Sequence, residues 1–184
     1  MTHDDLVEAY SAAGRHYHDL RHVQDCLARL DRVADLGVRA REILTLAIWW
    51  HDVVYDPMRS DNEEQSALLA ERHVAPELRD EVGRLIRLTR THDVAPGDRL
   101  GALLVSIDLA ILGADEASYD AYADAIRREY AHVPDEAYRA GRAAVLERFA
   151  NRPVIYPDAD YAAALDRQAR ANLVRELRAH AVLR

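Results

Sequence analysis

Nine histidines and twenty aspartates occur in this chain of 184 residues. Scattered at random they would form about one His-Asp dipeptide, and four occur: His3-Asp4, His18-Asp19, His51-Asp52 and His92-Asp93. The dipeptide is therefore uninformative by itself, and its surroundings must choose among the four. His51-Asp52 stands inside LTLAIWWHDVVY, the most apolar stretch of the chain. An ionised carboxylate buried beside an imidazole costs several kcal/mol unless both groups are paired or hold a metal. Two readings follow for this pair: a structural couple satisfied by other polar groups, or two metal ligands. His3-Asp4, at a polar terminus, reads as a solvated surface pair.

The segment YHDLRHV, residues 17–23, places His18 and His22 four apart, on one face of a helix and about a turn from each other. They read either as a ligand plus an acid or as exposed polar residues. Asp108 interrupts a third apolar run, LLVSIDLAILG, a poor place for an unpaired carboxylate. The alternative there is a buried Asp that caps or accepts from a neighbouring helix. Three polar intrusions into three apolar helices explain one another if they converge on one cation. Two neutral imidazoles and two carboxylates form an N/O donor set that suits one divalent ion, Mn²⁺, Fe²⁺, Co²⁺, Ni²⁺ or Mg²⁺, rather than a thiolate site.

The elements that must position these residues read as helices throughout. Apolar periodicity predicts helices over about 2–12, 17–36, 39–55, 60–73, 76–91, 99–112, 115–131, 134–150 and 159–183. Gly37 is the expected stop of the second helix, and the third stops before Pro57. Ser60 with Glu63 has the capping-box pattern, Pro76 suits a first helical position, Asp98 suits a cap, Gly113 an end and Pro134 a start. No Asn-Gly or Asp-Gly hairpin signal and no sustained alternation is present. The expected fold is all-α, a single bundle of about eight or nine helices forming one domain over residues 1–184.

Composition removes several function classes. All 24 basic residues are arginine, so no Schiff-base lysine, pyridoxal phosphate attachment or P-loop lysine exists. Arginine still offers two-pronged contacts to phosphate. The formal charge of −8 disfavours general nucleic-acid binding. No apolar run approaches the roughly 20 residues of a spanning helix, and the acidic N-terminus lacks a hydrophobic signal region, so no membrane association is expected. One cysteine, Cys26, allows neither an internal disulfide nor an iron–sulfur cage and fits a cytoplasmic setting. A homodimer is the base-rate expectation.

The order His22 … His51-Asp52 … Asp108 resembles the H…HD…D signature of the HD-domain superfamily of metal-dependent phosphohydrolases. Within it, the chain looks like the bacterial HD proteins described as predicted metal-dependent phosphohydrolases. The resemblance runs through YHDLRH, WWHDVVYD, DNEEQSA, LTRTH, SIDLAILG, YDAYADAIRREY and GRAAVLERF, most of residues 10–150. It implies an all-α core in which His22, His51, Asp52 and Asp108 bind one divalent metal, and a small nucleotide or other phosphate ester as substrate. The metal lowers the pKa of its water and polarises a phosphoryl oxygen. YHDLRH is also similar to the YHN-x-x-H element of cyclic-nucleotide phosphodiesterases, which implies His18 as general acid and His22 as ligand, with Asp19 in place of that family's Asn. HDVVYD resembles the HD-x-x-ED element of guanosine polyphosphate hydrolases. Tyr55 stands at the Glu position, which argues against that substrate, and Asp56 matches the Asp.

The remaining candidates are ordered around this resemblance. Asp56, one helical turn from Asp52 if the segment is helical, is expected to face the metal with it and to position the attacking water. Arg15, nearest the motif, is the expected phosphate contact, with Arg21, Arg127 and Arg142 as further choices. His92 is a candidate for the same site or for a second metal. Glu63 reads as a polar neighbour of the site or as the partner of Ser60 in a cap, and Tyr119, Tyr122 and Tyr130 read as packing residues. Two other functions compete. One is an HD-type di-iron oxygenase, with His18, Asp56 and His92 as the available further ligands. The other is a non-catalytic nucleotide-binding regulatory domain.

Overall fold

A computed structural model describes residues 1–182, so the expected helix end at 183 lies outside the described residues. Among the described residues the fold is all-α. Its helices are α1 (His3–Tyr10), α2 (Leu20–Asp31), α3 (Val38–Trp50), α4 (Asn62–His73), α5 (Pro76–Leu88), α6 (Arg99–Asp108), α7 (Glu116–Glu129), α8 (Asp135–Ala150) and α9 (Ala159–Val182). A 3-10 segment, Leu109–Gly113, follows α6. No described helix is long and apolar enough to cross a membrane. The chain divides into two compact units, Met1–Asp108 and a second from Leu109 onward.

In the first unit α3 is the central element and packs against α2, α4, α5 and α6. It buries Ile43, Leu44, Ala47 and Ile48, against which α2 turns Val23, Cys26 and Leu30, and α5 turns Val82, Leu85 and Ile86. Burying each large aliphatic side chain contributes roughly 1.5–3 kcal/mol before conformational entropy is counted.

The helix ends depart from the sequence expectation where side chains from elsewhere take the backbone groups. Asp19 is the N-cap of α2, accepting from the N–H of Arg21 at 2.9 Å and of His22 at 3.4 Å, so His18 lies before the helix and not on its face. The same helix ends at Asp31 because Arg41 of α3 donates to the carbonyls of Leu30 (2.9 Å) and Val33 (2.8 Å). Gly37 then serves as the N-cap of α3 rather than as the stop of α2. The capping box expected of Ser60 and Glu63 does not form: Asp61 is the N-cap of α4, and its carboxylate is held by Arg59 and Gln65. Pro76 opens α5, and Asp98 caps α6 by accepting from Gly101 N–H at 2.9 Å, both as the sequence suggests.

In the second unit α9 packs on α8 and on the 3-10 segment. Asn172 closes the carbonyls of Leu112 and Ala114, each at 2.9 Å. The approach at Gly113 is close enough that a Cβ would sit 2.6 Å from Leu165 Cβ and 3.0 Å from its carbonyl oxygen. Arg142 and Glu176 form a buried pair at 2.8 Å, and Tyr119 donates to the same carboxylate at 2.6 Å. Burial pushes the Glu176 carboxyl up, but the bonds from Arg142 and Tyr119 reverse this and leave it below the ordinary Glu value. A depressed folded-state pKa means stability that is present above the unfolded Glu value, about 4.3, and lost as pH falls through the folded one. Glu176→Gln, which strands Arg142, is expected to cost about 3–5 kcal/mol at pH 7. In thermal melts its deficit against wild type should shrink as pH is lowered below about 4.

Candidate metal centre

His51 and Asp52 do not sit within α3. The helix ends at Trp50, His51 is its C-cap, and residues 51–54 form a turn. Three groups remote in sequence extract this turn from the helix. The Tyr10 hydroxyl donates to Trp49 O at 3.1 Å and accepts from Asp52 N–H at 3.2 Å. Arg15 Nη1 donates to the carbonyls of His18 (2.8 Å) and Asp52 (2.7 Å), while Nη2 donates to Val53 O at 2.8 Å. Ser66 Oγ accepts from Val54 N–H and donates to Val54 O. The backbone groups of Trp49, Asp52, Val53 and Val54 are thereby answered from α1, the loop before α2, and α4, while Trp50 O accepts from Val53 N–H within the turn.

The turn aims the His51 and Asp52 side chains at His22, from the first turn of α2, and at Asp108, the last residue of α6. His22 Nε2 lies 3.1 Å from both His51 Nε2 and Asp108 Oδ1, and 3.9 Å from Asp52 Oδ2. His51 Nε2 lies 3.0 Å from Asp52 Oδ2 and 3.7 Å from Asp108 Oδ1. Donors that hold a divalent ion at about 2.0–2.2 Å stand about 3.0–3.6 Å apart; the 3.0 and 3.1 Å spacings fall in that range, and the 3.7 and 3.9 Å spacings lie just beyond it. His51 Nδ1 donates to Ile48 O at 2.8 Å, which fixes its tautomer and leaves Nε2 as a bare lone pair facing the cluster. The chemistry of the donor set therefore fits one divalent ion, with two imidazoles and two carboxylates supplied from three elements.

The electrostatics agree. Burial disfavours the charged forms of all four residues, yet the opposite charges win. The Asp52 carboxyl is held below its ordinary range by His51, and Asp108 by His22 and His92. The His22 and His51 imidazoles are raised in proton affinity despite burial, His22 through the carboxylate of Asp108 and His51 through that of Asp52. Two lone-pair nitrogens at 3.1 Å beside two carboxylates demand a positive charge, whether a proton or a metal.

The other sequence candidates are distributed as follows. His18 lies beside the cluster, its ring stacked on Tyr55 at 4.4 Å between centroids and 6.2 Å from the ring of His22. Asp56 is not brought to the cluster by a helical turn, because the segment is not helical; its Oδ1 accepts from Met58 N–H at 2.9 Å. Arg15 is a backbone clamp, as above, and its guanidinium also lies over the rings of Tyr10 and Tyr55. Arg21 is paired with Asp19. Arg127 and Arg142 belong to the second unit, where Arg127 binds the carbonyls of Tyr130 and Val133 and Arg142 is buried against Glu176. Tyr119 is buried, as expected of a packing residue. His92 reaches Asp108 Oδ2 at 3.2 Å.

Tyr10, Ser66 and Cys26 carry no local signal of their roles. Cys26, one turn after His22 on the same face of α2, places Sγ 3.8 Å from His22 Nδ1, and burial pushes its thiol up so that it stays protonated. Comparison with family models, with curated proteins and with solved structures gives no match for this chain. The fold and the cluster thus define a helical protein with a candidate mononuclear N/O metal centre.

Because a metal must displace the proton that the raised imidazoles retain, its affinity should fall as pH drops through and below the neutral range. Calorimetric Mn²⁺ titrations at pH 8 and pH 6, each in two buffers of different ionisation enthalpy, are expected to show weaker binding and more protons released at pH 6. Arg15→Lys is expected to weaken binding about 10–100-fold, the usual cost of losing outer-shell support, since an ammonium cannot bridge the Asp52 and Val53 carbonyls as the guanidinium fork does.

Proposed function

We propose that this chain is a metal-dependent phosphohydrolase of the HD-domain superfamily, acting on a small nucleotide or another small phosphate ester in the cytoplasm. One observation carries the reading: His22 Nε2 and His51 Nε2 lie 3.1 Å apart, with Asp108 Oδ1 3.1 Å from the first and Asp52 Oδ2 3.0 Å from the second. The order of these residues along the chain is the one that the HD resemblance implies. In this reading the four residues hold one divalent ion. That ion would supply an activated water at neutral pH and polarise a phosphoryl oxygen.

The remaining work falls to the chain's own groups. His18 is held by stacking on Tyr55 and edge-on contact with Tyr17, so its ring is oriented although it lies outside the helix. It stands beside the ligand His22 and within electrostatic reach of Asp52, where it holds a proton for the leaving oxygen. The clamp of Tyr10 and Arg15 keeps Asp52 in place during that transfer. Asp56, whose Oδ1 accepts from Met58 N–H, keeps in this reading the role of positioning the attacking water.

A panel of nucleotides and phosphomonoesters with added Mn²⁺ tests this, using wild type, Asp52→Ala and His18→Ala. Wild type should release phosphate or a nucleoside product, and Asp52→Ala none. His18→Ala should bind Mn²⁺ normally while losing about 10²–10⁴ in kcat. Equal turnover by wild type and Asp52→Ala, or no turnover by metal-loaded wild type across the panel, would count against the proposal.

A further inference from the structure

We infer that His92 is a positioning residue for the metal centre: it holds the carboxylate of Asp108 so that one oxygen is presented to the ion. The inference rests on the metal reading above and adds to it a residue from the turn that follows α5. Asp108 has its two oxygens divided between opposite partners. Oδ1 faces His22 Nε2 at 3.1 Å, on the side of the four-donor cluster, and Oδ2 faces His92 Nε2 at 3.2 Å. The partner of His92 Nε2 is an ionised carboxylate, which only accepts, so Nε2 carries the hydrogen and donates. A ligand carboxylate that is hydrogen-bonded through its second oxygen loses the freedom to rotate away from the ion, and such outer partners typically govern affinity by 10–100-fold.

The backbone shows that this placement is imposed. His92 adopts φ +58, in the left-handed region, one of two non-glycine residues to do so among those described. A residue of this type is strained there and persists only where its surroundings over-determine it. Its N–H closes the end of α5 on Leu88 O at 2.8 Å, and the left-handed turn then directs the ring inward, leaving 14% of the side chain exposed. The alternative role, ligand to a second ion, is not what the geometry favours. Among the described residues the side chains that converge as possible metal donors are His22, His51 and Asp52, and His22, Cys26 and Asp108, and His92 belongs to neither group.

Direct Mn²⁺ titration of the full chain, followed by calorimetry and by loss of the free-Mn²⁺ electron paramagnetic resonance signal, tests this without a substrate. Wild type should bind one ion per chain. His92→Asn suits the left-handed backbone but is too short to reach Asp108, and its Kd should rise 10–100-fold while the circular dichroism spectrum is unchanged. His92→Gln, which restores a donor at about the position of Nε2, should recover most of that loss; a merely structural role for His92 would show no such rescue. Unchanged affinity in His92→Asn, with wild type binding one ion, would overturn the inference and leave the metal centre standing. Two ions in wild type falling to one in His92→Asn would make His92 a ligand instead. No Mn²⁺ binding by wild type would overturn the metal reading itself, and this inference with it.

Discussion

The first unit is organised around the point where the chain leaves α3. An uninterrupted helix through 39–55 would satisfy its own backbone and would point His51 and Asp52 about 100° apart around its axis. Instead the hydroxyl of Tyr10, the guanidinium of Arg15 and the hydroxyl of Ser66 hold the backbone groups of residues 49, 52, 53 and 54. Each captured group is one the helix no longer needs to pair, so ending the helix at Trp50 carries no penalty of buried orphan carbonyls. The turn that results rotates two adjacent side chains, His51 and Asp52, onto one target, which adjacent positions on a helix cannot do.

Around that turn the other donors are set by ordinary helix-end physics. Asp19 caps α2 and so puts His22 in the first turn of the helix, and Asp108 is the last residue of α6, where the chain passes into a 3-10 segment. Helix ends are where backbone direction changes, and three such ends meeting at one place give a shell of donors without a long loop. The cost is concentrated charge in a buried place. His22 and His51 are nearly inaccessible, at 3% and 2% side-chain exposure. The cluster is tolerable only with a compensating positive charge, which a proton on an imidazole or a bound cation supplies.

A chain without lysine also shows what arginine does in its place. At four helix ends a guanidinium fork binds carbonyls left without intrahelical partners: Arg41 after α2, Arg15 after α3, Arg127 after α7 and Arg170 after α8. The planar fork spans two carbonyls, adjacent in the chain for Arg15 and two or three residues apart for the others, and brings positive charge to the negative end of the helix dipole. This use accounts for several arginines whose abundance in the sequence suggests phosphate recognition.

Much of this architecture was legible from the chain alone, and the reason is local. Helix type and number follow from apolar periodicity, and caps such as Asp98 and Pro76 from chemistry confined to one turn. The polar intrusions at His22, His51, Asp52 and Asp108 stood out because apolar neighbours make an unpartnered carboxylate or imidazole expensive. The boundaries were not legible, because they depend on partners far along the chain: Tyr10 and Arg15 lie about 40 residues before the turn they bind, and Arg41 closes a helix that ended ten residues earlier. Periodicity therefore ran the second and third helices too far and placed His18 and Asp56 on helical faces they do not occupy. The sequence by itself determined the all-α class, the buried faces and which residues are chemically out of place in them. Only the tertiary structure decided that those residues meet, that Arg15 clamps backbone and that His92 lies behind Asp108, since convergence is a property of packed elements and not of spacing along one of them.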